Sequence, residues 1–306
     1  MNMLITGGAG FIGSHAAEEF INKGYDVTVI DNLCSGKKEN LPSSVNFIEA
    51  DITDYNFSSL FQKKQFDYII HFAAQIDVRK SVENPIFDAH INIEGLLNIL
   101  QSTVNSSIKK FVFISSAGVM YGNTDEPADE LTPPAPVSPY GVSKLSGEHY
   151  LASYHHNHNL NYTILRLANV YGPRQDPLGE AGVVAIFANQ MINRKQSILF
   201  GFGELIRDYV YVKDVINAVV KCLDKGNGEI FNISTSEPTT VKELFEKMRS
   251  NFTDIPDPLF LPARPGELDR SIVNYHKAKN ILGWAPLVDL NQGLTSTIEY
   301  FKNLKK

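Results

Sequence analysis

Cysteine is scarce in this 306-residue chain: only Cys34 and Cys222 occur, far apart and in no C-x-x-C. That excludes a disulfide framework and a cysteine-built zinc site. Long apolar runs are missing too; none approaches the roughly 18 residues that a membrane-spanning helix needs. Basic residues show no excess. There are 28 Lys and Arg against 34 Asp and Glu, a net charge of −6, so nucleic acid is not expected as a partner. No signal-peptide pattern opens the chain, because turn glycines begin at Gly7 directly after a short apolar run, and the cytoplasm is the expected compartment. No metal is expected: of His155, His156 and His158, clustered near a helix end, only two at i and i+3 could share one, and no third ligand is in view. Core material is plentiful, with 43% hydrophobic residues, 18 Phe and 13 Tyr, which argues against disorder. The length suits roughly two domains, or one large α/β domain with an appendage.

Short apolar runs alternate with longer amphipathic ones through the first half. Met3–Ile5, Val27–Ile30, Asn46–Glu49, Tyr68–Phe72 and Phe111–Ile114 read as buried strands, and Thr163–Leu167 as a sixth. Helical patterns lie around 12–23, 56–64, 85–104 and 139–156. Strand, helix, strand at this spacing predicts βαβ units and a parallel sheet. After about 170 the pattern loosens. Short strands at Ile198–Phe200 and Ile230–Ile233 mix with helices near 182–194, 212–224, 240–250 and 289–302. The fold class is therefore α/β: a Rossmann-type doubly wound parallel sheet with a smaller α/β C-terminal part. The division is placed at 1–168 and 169–306, with segments of the second part free to return to the first. Two proline-rich stretches, 127–139 and 256–265, sit where active-site loops are expected.

Thr6 to Gly13 read TGGAGFIG, directly after the first strand and before the first helix. Gly7, Gly10 and Gly13 fit G-x-x-G-x-x-G, and Gly8, Gly10 and Gly13 fit G-x-G-x-x-G. A tight turn needs unusual backbone angles, and a pyrophosphate must approach the helix N-terminus without meeting a Cβ. Asp31 ends the second strand, 18 residues past Gly13. A carboxylate there accepts hydrogen bonds from ribose hydroxyls and repels a 2′-phosphate, so NAD is expected rather than NADP.

Ser138-Pro139-Tyr140-Gly141-Val142-Ser143-Lys144 looks like a helix start, with Ser138 as N-cap and Pro139 in the first turn. Tyr140 and Lys144 then share one face, a turn apart. A free tyrosine is a poor base at neutral pH; a nearby ammonium and an oxidised nicotinamide would both stabilise its phenolate.

These motifs follow one another in a familiar order. TGGAGFIG, Asp31-Asn32, Asp51-Ile52, His71-Phe72-Ala73-Ala74, Ser115-Ser116-Ala117-Gly118-Val119-Met120-Tyr121-Gly122 and Tyr140-x-x-x-Lys144 resemble the extended short-chain dehydrogenase/reductase family. Arg166–Arg174, Arg207–Val215 and Arg264–Glu267 resemble its nucleotide-sugar epimerase branch. The likeness runs down to Leu282-Gly283-Trp284.

The resemblance implies an NAD-dependent UDP-sugar 4-epimerase. Tyr140 would take the proton of the sugar 4-hydroxyl during transient oxidation at C4, and hydride would return to the opposite face. Lys144 would keep the phenolate charged and hold the nicotinamide ribose. The cofactor set so implied is Gly7, Gly10, Phe11, Ile12, Gly13, Asp31, Asn32, Ser35, Gly36, Asp51, Ile52, Phe72, Ala73, Ala74, Asn92 and Ser115 with Tyr140 and Lys144. On the substrate side it implies Asn169 at the diphosphate, Arg207 and Arg264 as phosphate clamps, and Glu267 at the uridine ribose. A homodimer is implied as well.

Two departures from the family pattern bear on chemistry. Where relatives carry a catalytic Ser or Thr, this chain has Ala117; either a water or the hydroxyl of the adjacent Ser116 is left to supply that hydrogen bond, and because neighbouring strand residues face opposite ways, the use of Ser116 needs a local bend. The positions that carry Asp-Glu in the dehydratases are Gly118 and Val119, which transfer no protons, so elimination chemistry is disfavoured. Ser271 matches a position where a bulky tyrosine excludes 2-acetamido sugars. UDP-glucose and UDP-galactose are expected substrates, with UDP-GlcNAc and UDP-GalNAc also admitted. Two other readings stay open: a nucleotide-sugar oxidoreductase with an exchanging cofactor, and a non-catalytic NAD-sensing protein.

Overall fold

A computed structural model describes residues 1–104, 106–177, 182–264 and 267–304. The first part runs β1 (Asn2–Thr6), α1 (Phe11–Asn22), β2 (Asp26–Asp31), β3 (Asn46–Glu49), α2 (Phe57–Lys63), β4 (Tyr68–His71), α3 (Val78–Glu83) and α4 (Pro85–Ala89). A π-helical turn (His90–Glu94) leads into α5 (Gly95–Thr103), followed by β5 (Lys110–Ser116), α6 (Pro139–His158) and β6 (Tyr162–Leu167). The second part runs β7 (Asn169–Tyr171), α7 (Val183–Ile192), β8 (Ile198–Leu199), β9 (Ile206–Tyr211), α8 (Val212–Cys222) and β10 (Glu229–Ile233). It closes with β11 (Pro238–Thr240), α9 (Val241–Arg249), β12 (Leu259–Phe260), β13 (Arg270–Ser271), α10 (His276–Leu282) and α11 (Leu290–Asn303).

Seven parallel strands form the main sheet in the order β10-β6-β5-β4-β1-β2-β3. Both faces are covered, which is why these strands read as unbroken apolar runs. Phe20, Val219 and Trp284 pack one face; Leu96, Phe113 and Ile164 pack the other. Strand order reverses between β1 and β4, and such a reversal opens a crevice at the carboxyl ends of the strands. Thr6, His71 and Ser116 end there. A second sheet joins β7, β9, β11 and β13, over a core that includes Phe187, Phe245 and Phe301.

Among the departures from the sequence reading, three stand out. The helix expected over 85–104 is broken by the π turn, a form often found at functional sites, and this turn buries Asn92. β9 was not foreseen, because Arg207 and Asp208 interrupt its apolar character. The strand expected at Ile198–Phe200 stops at Leu199, where the chain bends into a short 3₁₀ turn.

Candidate active site

The crevice begins at the glycine loop. Gly7 takes a φ of +68°, and a Cβ there would lie 2.5 Å from the Ala73 nitrogen. At Gly13 a Cβ would collide with the Gly7 carbonyl. Gly10 differs: its Cβ would approach only the Gly7 carbonyl oxygen, at 3.3 Å. It is also the N-cap of α1, and no side chain caps that helix end. The loop therefore leaves an open cradle at a helix N-terminus, the arrangement a pyrophosphate requires.

Asp31 closes one side of the cradle. Its Oδ2 accepts from Ala9 N–H and its Oδ1 from Leu33 N–H, both at 2.9 Å. Gly36 packs on the same carboxylate, since a Cβ there would be 2.8 Å from Asp31 Oδ1. Ser35 and Gly36 so lie on the loop that folds back over the glycines. Asn32 donates to Asp51 Oδ2 at 2.6 Å. Burial opposes ionisation of Asp51, but hydrogen bonds from Thr53 and Asn32 hold its carboxyl below the usual value. Ile52 is buried against Gly95. Phe72 and Ala73 donate their N–H groups to the Thr6 carbonyl, which ties the β4 loop, Ala74 included, beside the cradle. Phe11 and Ile12 form the first turn of α1. The residues present fit a dinucleotide.

Ser138 caps α6 through Gly141 N–H at 3.2 Å, with Pro139 in the first turn, as the sequence predicts. A Cβ on Gly141 would lie 2.9 Å from the Val119 carbonyl, so the helix start is pressed onto the turn that ends β5. Tyr140 and Lys144 are both buried. The Lys144 ammonium donates to the Ile114 carbonyl at 2.9 Å and stands 5.7 Å from the Tyr140 ring. Burial and the Asp88 charge push the Tyr140 phenol well above its ordinary value. Burial brings Lys144 down to about 8, while Asp88 and Glu148 hold it up. Lys144 alone thus leaves the phenol protonated.

β5 stops at Ser116 and a 3₁₀ turn, Ala117–Val119, follows. Ala117 packs among Met120, Tyr121, Ala128 and Val273. A Cβ on Gly118 would meet Asn169 Oδ1 at 3.7 Å and Ser116 Oγ at 3.8 Å, so those two side chains converge above it. The Ser115 hydroxyl donates to Glu148 at 2.6 Å, so Ser115 presents its backbone to the crevice.

On the far wall, Ser271 of β13 pairs with Arg207 of β9. Burial lowers the Arg207 guanidinium from its ordinary value, against the charges of Glu267 and Asp269. Arg264 stacks on Phe200, 3.7 Å from the ring centroid. Glu267 accepts from Arg264 N–H at 2.9 Å. Pro265 and Gly266 of the same motif lie outside the described residues. The proline-rich stretch after β5 is fastened here too, through Ala128 N–H to the Ile272 carbonyl at 3.0 Å.

Several buried partners escaped the sequence reading. Glu148 takes a bidentate ion pair from Arg166, with Nε at 2.9 Å and Nη2 at 2.5 Å. Arg166 also donates to the Tyr121 hydroxyl at 2.7 Å. Asp88 accepts from Gln75, Asn92 and Ser143. Glu148 stands i+4 from Lys144, a spacing that could have drawn notice. Asp88 gave no such signal.

Comparison with known proteins agrees with this geometry. The model of the "Epimerase: NAD dependent epimerase/dehydratase family" matches residues 3–234. A UDP-glucose 4-epimerase of Mycolicibacterium smegmatis is 39% identical over 310 residues, covering 99% of each chain. The crystal structure of a UDP-glucose 4-epimerase from Thermotoga maritima with UDP-glucose superimposes with a TM-score of 0.98 at 46% identity, covering 100% of both chains. A UDP-glucose 4-epimerase of Thermus thermophilus in complex with NAD gives 0.93 at 39% identity, over 99% of both.

Proposed function

This chain belongs to the NAD dependent epimerase/dehydratase family, and from that premise we propose that it is an NAD-dependent UDP-sugar 4-epimerase. The observation that carries this reading is the buried Tyr140–Lys144 pair at the end of β5, beside a strand end whose Gly118 and Val119 transfer no protons. Bound NAD supplies a reversible hydride acceptor for C4 of the sugar. Tyr140 accepts the proton of the 4-hydroxyl and later returns it. Lys144 is the cation that accompanies the phenolate. Ser116, converging with Asn169 over Gly118, hydrogen-bonds the sugar oxygen, and Asn169 binds the diphosphate. Arg207 and Arg264 hold the diphosphate while the sugar turns between them and Tyr140, and Glu267 accepts from the uridine ribose.

Residues 1–168 bind the cofactor and 169–306 mainly bind the UDP-sugar, with Glu229–Ile233 returning to the first sheet. The molecule works as a homodimer in the cytoplasm. Support for the dimer comes from apolar side chains left exposed on α3, α4 and α6: Val82, Ile86, Phe87 and Val142, a cluster of the kind that marks an association surface. Among the described residues no helix is long and apolar enough to cross a membrane.

The test is incubation with a panel of UDP-sugars and no added reductant, followed by product analysis. Conversion at C4 without net consumption of NADH is expected. Turnover only with stoichiometric NAD(P)H would replace this reading by an exchanging oxidoreductase.

A further inference from the structure

Three buried titratable side chains lie around Lys144, and among the described residues only one of them is held in an ion pair. Glu148 on α6 is paired with Arg166 of β6. His71 of β4, fully buried, is driven down to about 3 by burial and by Lys144, and so is neutral. Asp88 of α4 is 0% exposed, and its three partners are all uncharged. Oδ1 accepts from Gln75 Nε2 at 2.9 Å and Asn92 Nδ2 at 3.0 Å, and Oδ2 accepts from Ser143 Oγ at 2.6 Å. Burying a lone charge is costly unless another charge or several hydrogen bonds compensate it.

Each of those partners belongs to a different wall of the crevice. Gln75 follows Ala73 and Ala74 in the β4 loop, Asn92 lies on the π turn, and Ser143 lies between Tyr140 and Lys144 on α6. Ser143 stands three residues after Tyr140 and one before Lys144, so its 2.6 Å bond sets the Asp88 carboxyl against the turn of α6 that carries both, and a charge there favours the protonated form of each. We propose that Asp88 is a positioning residue: the buried counter-charge that keeps Lys144 an ammonium and fastens the cofactor loop and the π turn to the catalytic helix. This deepens, and rests on, the epimerase reading.

Asp88→Asn keeps the volume and an acceptor for Gln75 and Asn92 while removing the charge. Without that charge both Lys144 and Tyr140 give up their protons more easily, so both limbs of the pH–rate profile should move to lower pH, by about one unit. The KM for the UDP-sugar should not move. In the whole protein, the Lys144 side-chain NMR signal, assigned with Lys144→Met, should titrate lower in Asp88→Asn by a similar amount. A rate lowered at every pH with no displacement of either limb, or an unmoved Lys144 midpoint, would overturn the proposal. The lysine titration needs no turnover, so it decides the matter even if no UDP-sugar is converted. Should Asp88→Asn fail to fold, the Asp88 carboxyl signal of the wild type serves instead: ionised at neutral pH supports the proposal, protonated overturns it.

Discussion

Lys144 gives its hydrogen bond to the Ile114 carbonyl, 2.9 Å away, and not to the Tyr140 hydroxyl. The cation therefore sits on the strand end, and the phenol is left with burial and Asp88, both of which keep its proton on. The first prediction follows from this. Without cofactor, an ultraviolet difference titration of wild type against Tyr140→Phe should find no phenolate near neutral pH. Adding NAD should bring ionisation toward neutrality, because a nearby positive charge favours the anion. A phenolate present without NAD would contradict the geometry.

Turnover should depend on that phenol far more than binding does. Tyr140→Phe should cost about 10²–10⁴-fold in rate, the usual worth of a general base, while calorimetry finds UDP-sugar affinity intact. Ser116→Ala should cost less. Near-wild-type rates in Tyr140→Phe would remove it from the proton route.

The glycine loop separates a cofactor effect from a folding effect. A methyl on Gly10 projects into the open cradle, whereas a methyl on Gly13 strikes the Gly7 carbonyl. Gly10→Ala should keep its melting temperature close to wild type yet lose retained NAD(H), measured by extraction of the denatured protein. Gly13→Ala should lose both. Equal NAD content in Gly10→Ala and wild type would place the pyrophosphate elsewhere.

What could be read from the sequence was whatever is local or repeated. β1, β2, β4, β5 and β6 announced themselves because burial on both faces writes continuous apolar runs. Gly7, Gly10, Gly13 and Asp31, like Tyr140 and Lys144, fall at spacings fixed by one turn or one helix. β9 stayed hidden, because the Asp208 within it becomes tolerable only through hydrogen bonds from Thr235 and Ser236. Asp88 stayed hidden for the same reason: Ser143, 55 residues away, is brought to it only by the tertiary fold. The Ser115 hydroxyl bond was equally out of reach, because its partner, Glu148, lies on another element.

Acidification should destabilise the fold partly through His15. Its Nε2 lies 2.9 Å from the Pro173 carbonyl oxygen, and burial drives the ring down to about 4 from the ordinary 6.5. Between those values the unfolded chain binds a proton that the folded chain refuses. Stability from this group is therefore complete above about 6.5 and is lost as pH falls toward 4. His15→Gln keeps a donor for Pro173 and does not titrate. Its denaturant midpoint should fall less steeply than that of wild type between pH 6.5 and 4. Parallel slopes would mean that His15 is not buried as a neutral ring.

Substrate scope is predicted to turn on Ser271. It pairs in register with Arg207 and is 9% exposed, so it stands on the same wall as the proposed phosphate clamp. By the family resemblance, a tyrosine at this place excludes 2-acetamido sugars by bulk. A hydroxymethyl leaves that volume free, and an unfilled side of a pocket cannot reject by clash. Wild type should therefore interconvert UDP-GlcNAc and UDP-GalNAc as well as UDP-glucose and UDP-galactose. Ser271→Tyr should lower kcat/KM for the acetamido pair by about 10-fold or more, within the usual range for a steric contact, and spare the simple hexoses. Paired kinetics on both sugar pairs decide it. Rejection of the acetamido sugars by wild type, or an unchanged ratio in Ser271→Tyr, would move the specificity determinant to another residue of this wall.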